Sequence, residues 1–216
     1  FKLGDVDGAI ERYRQAIHHG QDAAWTATVC RTLANLYYEG KHDLSRAVEA
    51  YKAALELEPD NPETLCQLVD VYCEQGEYQA ATDIYMDLLR YDPENADIYS
   101  YLGYLFWQLD RHEEAVMAYQ KALALDPANA IVHNNLGVIY LDVYHEADKA
   151  LPMFERAVAA QPDYAMAQFN RGRALDRMED RPGALAAYNR ALALNRESQE
   201  LPDTEIERKL LGLYEV

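Results

Sequence analysis

Prolines recur along this chain at a near-constant interval: Pro59, Pro93, Pro127 and Pro162 lie 34, 34 and 35 residues apart. An alanine stands twelve residues before each (Ala47, Ala81, Ala115 and Ala150), and it returns at Ala9 and Ala184. Four residues after each alanine comes an aromatic: Tyr13, Tyr51, Tyr85, Tyr119, Phe154 or Tyr188. Three further on stands Ala16, Ala54, Leu88, Ala122, Ala157 or Ala191. Positions i, i+4 and i+7 fall on one helix face, so each unit supplies a helix with an aromatic set between small residues. Self-similarity at this period builds a stack of helical hairpins. The functional question then becomes which partner is held, before which reaction is run.

A second motif precedes each of these helices: Leu33-Ala34, Leu68-Val69, Leu102-Gly103, Leu136-Gly137 and Arg171-Gly172. Three residues after its second member come Tyr37, Tyr72, Phe106, Tyr140 and Leu175. In this order of residues the chain resembles the tetratricopeptide repeat family. The resemblance implies an all-α fold, a right-handed α-α superhelix of stacked hairpins. A partial repeat covers 1–24, and full repeats cover 25–61, 62–95, 96–129, 130–164 and 165–196. Departures are local: Ala34 and Val69 replace the usual Gly, Arg171 the usual Leu, and Arg196 the usual Pro. The connections from Tyr37 to Ala47 and from Tyr140 to Ala150 each carry one extra residue.

Helix pairs are expected at 25–39 and 44–57, 62–75 and 78–91, 96–109 and 112–125, 130–143 and 147–160, and 165–178 and 181–194. A lone helix is expected at 6–19. Asp-Pro-Glu-Asn at 92–95 and Asp-Pro-Ala-Asn at 126–129 each end one helix and cap the next. Gly103, Gly137 and Gly172 sit mid-helix, where Gly costs about 1 kcal/mol relative to Ala, and a cost repeated in register implies close helix contact. After a polar break at 197–202, an amphipathic helix from Asp203 turns Ile206, Leu210 and Leu213 inward. It serves either as a cap on the stack or, from Leu211-Gly212, as the start of a further repeat. Phe1 to Gly4 read as the tail of a helix, so the chain is expected to be part of a longer protein.

A net charge of −17 disfavours nucleic acid and anionic membrane surfaces. No apolar run reaches the ~18 residues that span a bilayer. The charge is uneven. Residues 62–95 hold eight acids against Arg90, a net of −7, and residues 165–196 hold six arginines against three acids, a net of +3. This distribution serves solubility and capping, or makes a scaffold whose middle attracts basic segments and whose end attracts anions. Cys66 and Cys73 are about two turns apart on one helix, too far to bridge, and with Cys30 they read as free thiols of a reducing, cytoplasmic compartment.

First helices of such a stack line its concave side, and in the family that surface holds an extended peptide or a partner helix. Projection places Arg31, Asn35 and Tyr38 there, then Gln67, Asp70 and Glu74, then Tyr101, Tyr104 and Trp107. Asn134, Asn135 and Val138 follow, and Asn170, Arg173 and Arg177 close the series. Asn amides both donate and accept, which suits a peptide backbone. Tyr and Trp offer contact area with few rotors to freeze. Arg173 and Arg177, one turn apart, can clamp a carboxylate or phosphate, or can answer the nearby Asp176, Glu179 and Asp180.

One subgroup of the family grips acidic C-terminal tails with Lys, Asn, Asn, Lys and Arg. Here Arg31, Asn35, Gln67, Asp97 and Tyr101 stand in those places, and acid for base would repel such a tail. A second subgroup carries an Asn ladder, matched here by Asn135 and Asn170 but replaced by Thr32, Gln67 and Tyr101 upstream. The six histidines are scattered over helix ends and loops, and no nucleophile–base spacing or phosphate loop is visible. The sequence therefore predicts a non-catalytic scaffold for a protein or peptide, with no cofactor and no metal. Self-assembly through an open end and service as the targeting arm of a larger enzyme are the rival readings.

Overall fold

A computed structural model describes residues 6–18, 22–198 and 202–214, and every regular element among them is helical. The chain forms two compact units, Phe1–Leu88 and Leu89–Val216. The first holds α1 (Val6–His18), α2 (Ala23–Asn35), α3 (Leu44–Leu57), α4 (Pro62–Gln75) and α5 (Tyr78–Leu88). The second holds α6 (Ala96–Gln108), α7 (His112–Leu125), α8 (Ala130–Val138), α9 (Ala147–Ala160), α10 (Ala165–Arg177), α11 (Arg181–Ser198) and α12 (Asp203–Tyr214). His19, the expected end of the lone helix, lies outside the described residues.

Short polar residues start these helices. Asp22, Asp43, Asn61, Asn95 and Asn129 each accept the backbone N–H three residues on, at 2.6–3.1 Å. Each bond satisfies one of the amides that a helix start leaves unpaired. α2 begins at Ala23 rather than at residue 25, and two helix ends differ from expectation by more than a single residue. α11 runs through Ser198, into the expected polar break, and α5 stops at Leu88 rather than at residue 91. Leu88 stands where every other described repeat buries an alanine (Ala54, Ala122, Ala157 and Ala191).

The interior is built on one repeated contact. A Cβ added to Gly103 would lie 2.5 Å from the Tyr119 ring, one on Gly137 2.6 Å from Phe154, and one on Gly172 2.7 Å from Tyr188. Each second helix therefore presses its aromatic onto bare backbone of the first, leaving no volume for a methyl. The three rings are buried, as are the flanking Ala115, Ala122, Ala150, Ala157, Ala184 and Ala191. In the first unit the same position carries the buried side chains of Ala34 and Val69. There Tyr51 joins a cluster with Ile10, Leu33, Ala34, Tyr37, Ala47 and Leu68, and packing is side chain against side chain.

The tip of each hairpin needs one left-handed residue. Gly76 fills the role with φ 77°, but His42, Asp110, His145 and Glu179 adopt φ of 54–63° in the other hairpins. A Cβ in that region costs about 1–2 kcal/mol. The left-handed residue comes four positions after Tyr72, Phe106 and Leu175 but five after Tyr37 and Tyr140. The extra residue in those two hairpins is absorbed as a single π-turn, Leu36–Gly40 after α2 and Ile139–Val143 after α8.

At the C-terminal end, Ile206 and Leu210 of α12 are buried with Phe169, Leu175 and Tyr188, and Leu213 packs beside them. Arg181 donates to the Leu213 carbonyl. Leu211 is exposed, and a Cβ on Gly212 would meet nothing within 4 Å. That environment is unlike the Leu-Gly pairs of α6 and α8, whose glycines face a ring.

Gly103→Ala is expected to lower stability by about 1–3 kcal/mol through overpacking. Gly212→Ala should raise it by a few tenths to about 1 kcal/mol through helix propensity. Urea unfolding followed by circular dichroism compares the two directly. In the same assay Glu179→Gly should stabilise by about 0.5–1 kcal/mol, since the backbone angle already suits glycine.

Candidate functional site: the first-helix faces

In the first unit the expected lining residues are drawn into local polar contacts. Asn35 accepts the Tyr51 hydroxyl at 2.5 Å, and Arg31 lies 3.9 Å from Glu63. Tyr38 lies on the π-turn, and burial together with the nearby Glu74 carboxylate pushes its hydroxyl up. His42 Nε2, just past the π-turn, is 3.2 Å from the same Glu74. Asp70 is exposed as a residue, yet partial burial of its carboxyl pushes it up from its ordinary value. Gln67 is half-buried, and its Oε1 is covered without a hydrogen-bond partner among the described residues.

In the second unit α6 turns Tyr101, Tyr104 and Trp107 outward, 54%, 37% and 37% exposed. Their spacing of three residues puts them on one stripe. Beside them α8 carries no Asp, Glu, Lys or Arg, and it shows Ile131 exposed with Asn135 and Val138 half-buried. Asn135 adjoins the Tyr119 hydroxyl, which burial pushes well above its ordinary value. Asn134 and Asn170, expected on the open face, are only 4% and 3% exposed. Asn170 Nδ2 donates to Asn134 Oδ1 at 2.9 Å, and Asn134 Nδ2 to Asn135 Oδ1 at 3.3 Å. The two amides answer one another inside the layer, as buried amides must.

Arg173 continues this chain. Its Nη1 donates to Asn170 Oδ1 at 3.1 Å, and its Nη2 reaches both oxygens of Asp142, at 2.7 and 2.9 Å. Arg177 adds a bond to Asp142 Oδ1 at 3.1 Å and another to the Leu141 carbonyl. The acids expected to answer these arginines were Asp176, Glu179 and Asp180. The carboxylate found on them is Asp142, from the preceding repeat. Asp180 is used otherwise, accepting the Gly183 N–H at 3.0 Å where α11 begins. Asp142 escaped the sequence reading because projection along an ideal helix ignores the extra residue. The signal was the lengthened connection between Tyr140 and Ala150.

Three tetratricopeptide repeat models match the chain, at residues 40–103, 108–143 and 145–200. The chain belongs to the tetratricopeptide repeat family. Among solved structures it is similar to two of MamA: one at 27% identity with a TM-score of 0.67, over 78% of this chain and 97% of that one, and one at 28% identity with a TM-score of 0.67, over 82% and 96%. It is also similar to YrrB, described as a TPR protein with an unusual peptide-binding site, at 24% identity with a TM-score of 0.64, over 96% and 100%. A MamA from Desulfovibrio magneticus RS-1 shares the fold at 21% identity and a TM-score of 0.68, over 81% and 97%. No curated protein matches the chain.

Membership of the tetratricopeptide family makes this a protein-interaction scaffold. Among the described residues no group of three His, Cys, Asp or Glu could hold a metal ion, and no helix is long and apolar enough to cross a membrane. Asp142→Ala is expected to cost about 1–2 kcal/mol, because it strands two half-buried guanidinium groups. Asp180→Ala should cost about 1 kcal/mol, the loss of a cap alone. Urea midpoints measured in low and high salt separate the two, since the Asp142 loss, which breaks two ion pairs, should shrink more as salt screens charge.

Proposed function

We propose that this tetratricopeptide protein is a non-catalytic scaffold holding a peptide or partner helix against the first-helix face of its second unit. The observation that carries the reading is the stripe Tyr101, Tyr104 and Trp107, set beside the uncharged face of α8. Aromatic side chains on a rigid element gain contact area at low entropic cost, and such residues dominate binding energy. Asn135, half-buried next to them, offers an amide that donates to and accepts from a peptide backbone. The net charge of −17 argues for a protein partner over nucleic acid. Three free cysteines support a reducing, cytoplasmic setting.

Peptides selected from a random display library on the intact chain test the reading. The double variant Tyr104→Ala with Asn135→Ala should weaken the selected peptides by at least about tenfold, which is ~1.4 kcal/mol. Helical circular dichroism should be unchanged. Undiminished binding, or a library that enriches only peptides bound by the second helices, would count against this face. Light scattering across a concentration series tests the rival reading: mass that grows with concentration favours self-assembly.

A further inference from the structure

We infer that Arg173 and Arg177 form a carboxylate seat on α10 that the chain fills with its own Asp142, so that an acidic peptide enters only by displacing that side chain. The inference rests on the proposed peptide-binding role only in taking a peptide as the incoming group.

The seat is assembled before any partner arrives. Asn134 holds Asn170, Asn170 holds Arg173, and the Leu141 carbonyl holds Arg177, so both guanidinium groups are fixed in place. Their remaining donors converge on one carboxylate through three bonds of 2.7–3.1 Å. Fixed guanidinium forks suit carboxylate geometry, and little ordering cost remains for a second carboxylate put in the same place. The site is also reachable. The side chains of Arg173, Asp142 and Arg177 are 24%, 33% and 42% exposed, so the pair is closed by its occupant and not by overlying structure.

The occupant arrives by way of the π-turn. Asp142 lies within Ile139–Val143, where one extra residue lengthens the connection. Here α10 answers it with two arginines, at Arg173 and Arg177. The corresponding positions of α4 are Asp70 and Glu74 and those of α6 are Tyr104 and Gln108, so no other described first helix of a full repeat after the first offers this pair. A tethered carboxylate competes at an effective concentration of about millimolar, so a free acidic segment is held weakly while Asp142 is present.

The test uses the whole chain and a fluorescent tri-glutamate peptide with a free C-terminus, read by anisotropy. Asp142→Asn should bind it at least about tenfold more tightly than the unaltered chain, and Arg177→Ala added to that variant should remove the gain. Equal affinity for the unaltered chain and the Asp142→Asn variant, both helical, would overturn the inference. So would equal binding of an uncharged tri-glutamine amide.

Should Asp142→Asn fail to fold, the unaltered chain decides. Nitrogen-15 spectra should show the Arg173 and Arg177 side-chain signals moving with tri-glutamate at about 10 mM, and unmoved signals would overturn the seat. Inorganic phosphate at the same concentration separates a carboxylate seat from a general oxyanion site. Displacement of the peptide by equimolar phosphate would overturn the carboxylate assignment. Trp107→Ala, on the aromatic stripe and outside this chain of bonds, should weaken the library-selected peptides and keep the seat intact, so failure of the aromatic face and failure of the seat are told apart.

Discussion

A ring laid on a glycine is the contact on which the second unit depends. With 2.5–2.7 Å between a notional Cβ and the facing aromatic, the paired helices sit as close as backbone permits. A mid-helix glycine is a poor choice for an isolated helix, and its recurrence at residues 103, 137 and 172 makes sense only when the gain lies in the neighbour. The alanines on either side of each ring serve the same end. They keep the flanking turns thin enough for the ring to reach the backbone. The first unit uses a different solution, with Ala34 and Val69 meeting their partners through side chains.

This explains why so much of the fold was legible in the sequence. The Ala-aromatic-Ala spacing and the Leu-Gly pairs report contacts made inside one hairpin, and local contacts leave local patterns. Helix starts were legible for the same reason, since Asn61, Asn95 and Asn129 bond only three residues ahead. The end of α5 was not, because nothing in the spacing of Ala81, Tyr85 and Leu88 marks where that helix stops.

The candidate site was legible in outline only. Tyr101, Tyr104 and Trp107 stand on the stripe that projection gave them, and Arg173 and Arg177 do converge on a carboxylate. What projection could not supply was the identity of that carboxylate or the fate of Asn134 and Asn170. Those two amides were placed outward by counting residues, yet they are buried and bonded to one another across successive first helices. Whether a polar side chain on a first helix is a surface group or an interior link depends on its neighbour some thirty-five residues away. A single-repeat pattern carries no record of that pairing.

The π-turns show how a repetitive architecture acquires individuality. A chain built from equal units offers equivalent groups at equivalent places, and substitution alone changes one such group at a time. Inserting one codon before the left-handed residue leaves the downstream register untouched, because the swelling is confined to five residues. What moves is where the connecting segment points. Tyr38 in one hairpin and Asp142 in another thereby contact the succeeding helix, giving two of five near-identical modules chemistry their siblings lack. Length polymorphism at hairpin tips is thus a source of novelty in such scaffolds that residue-by-residue comparison of aligned repeats passes over as a gap.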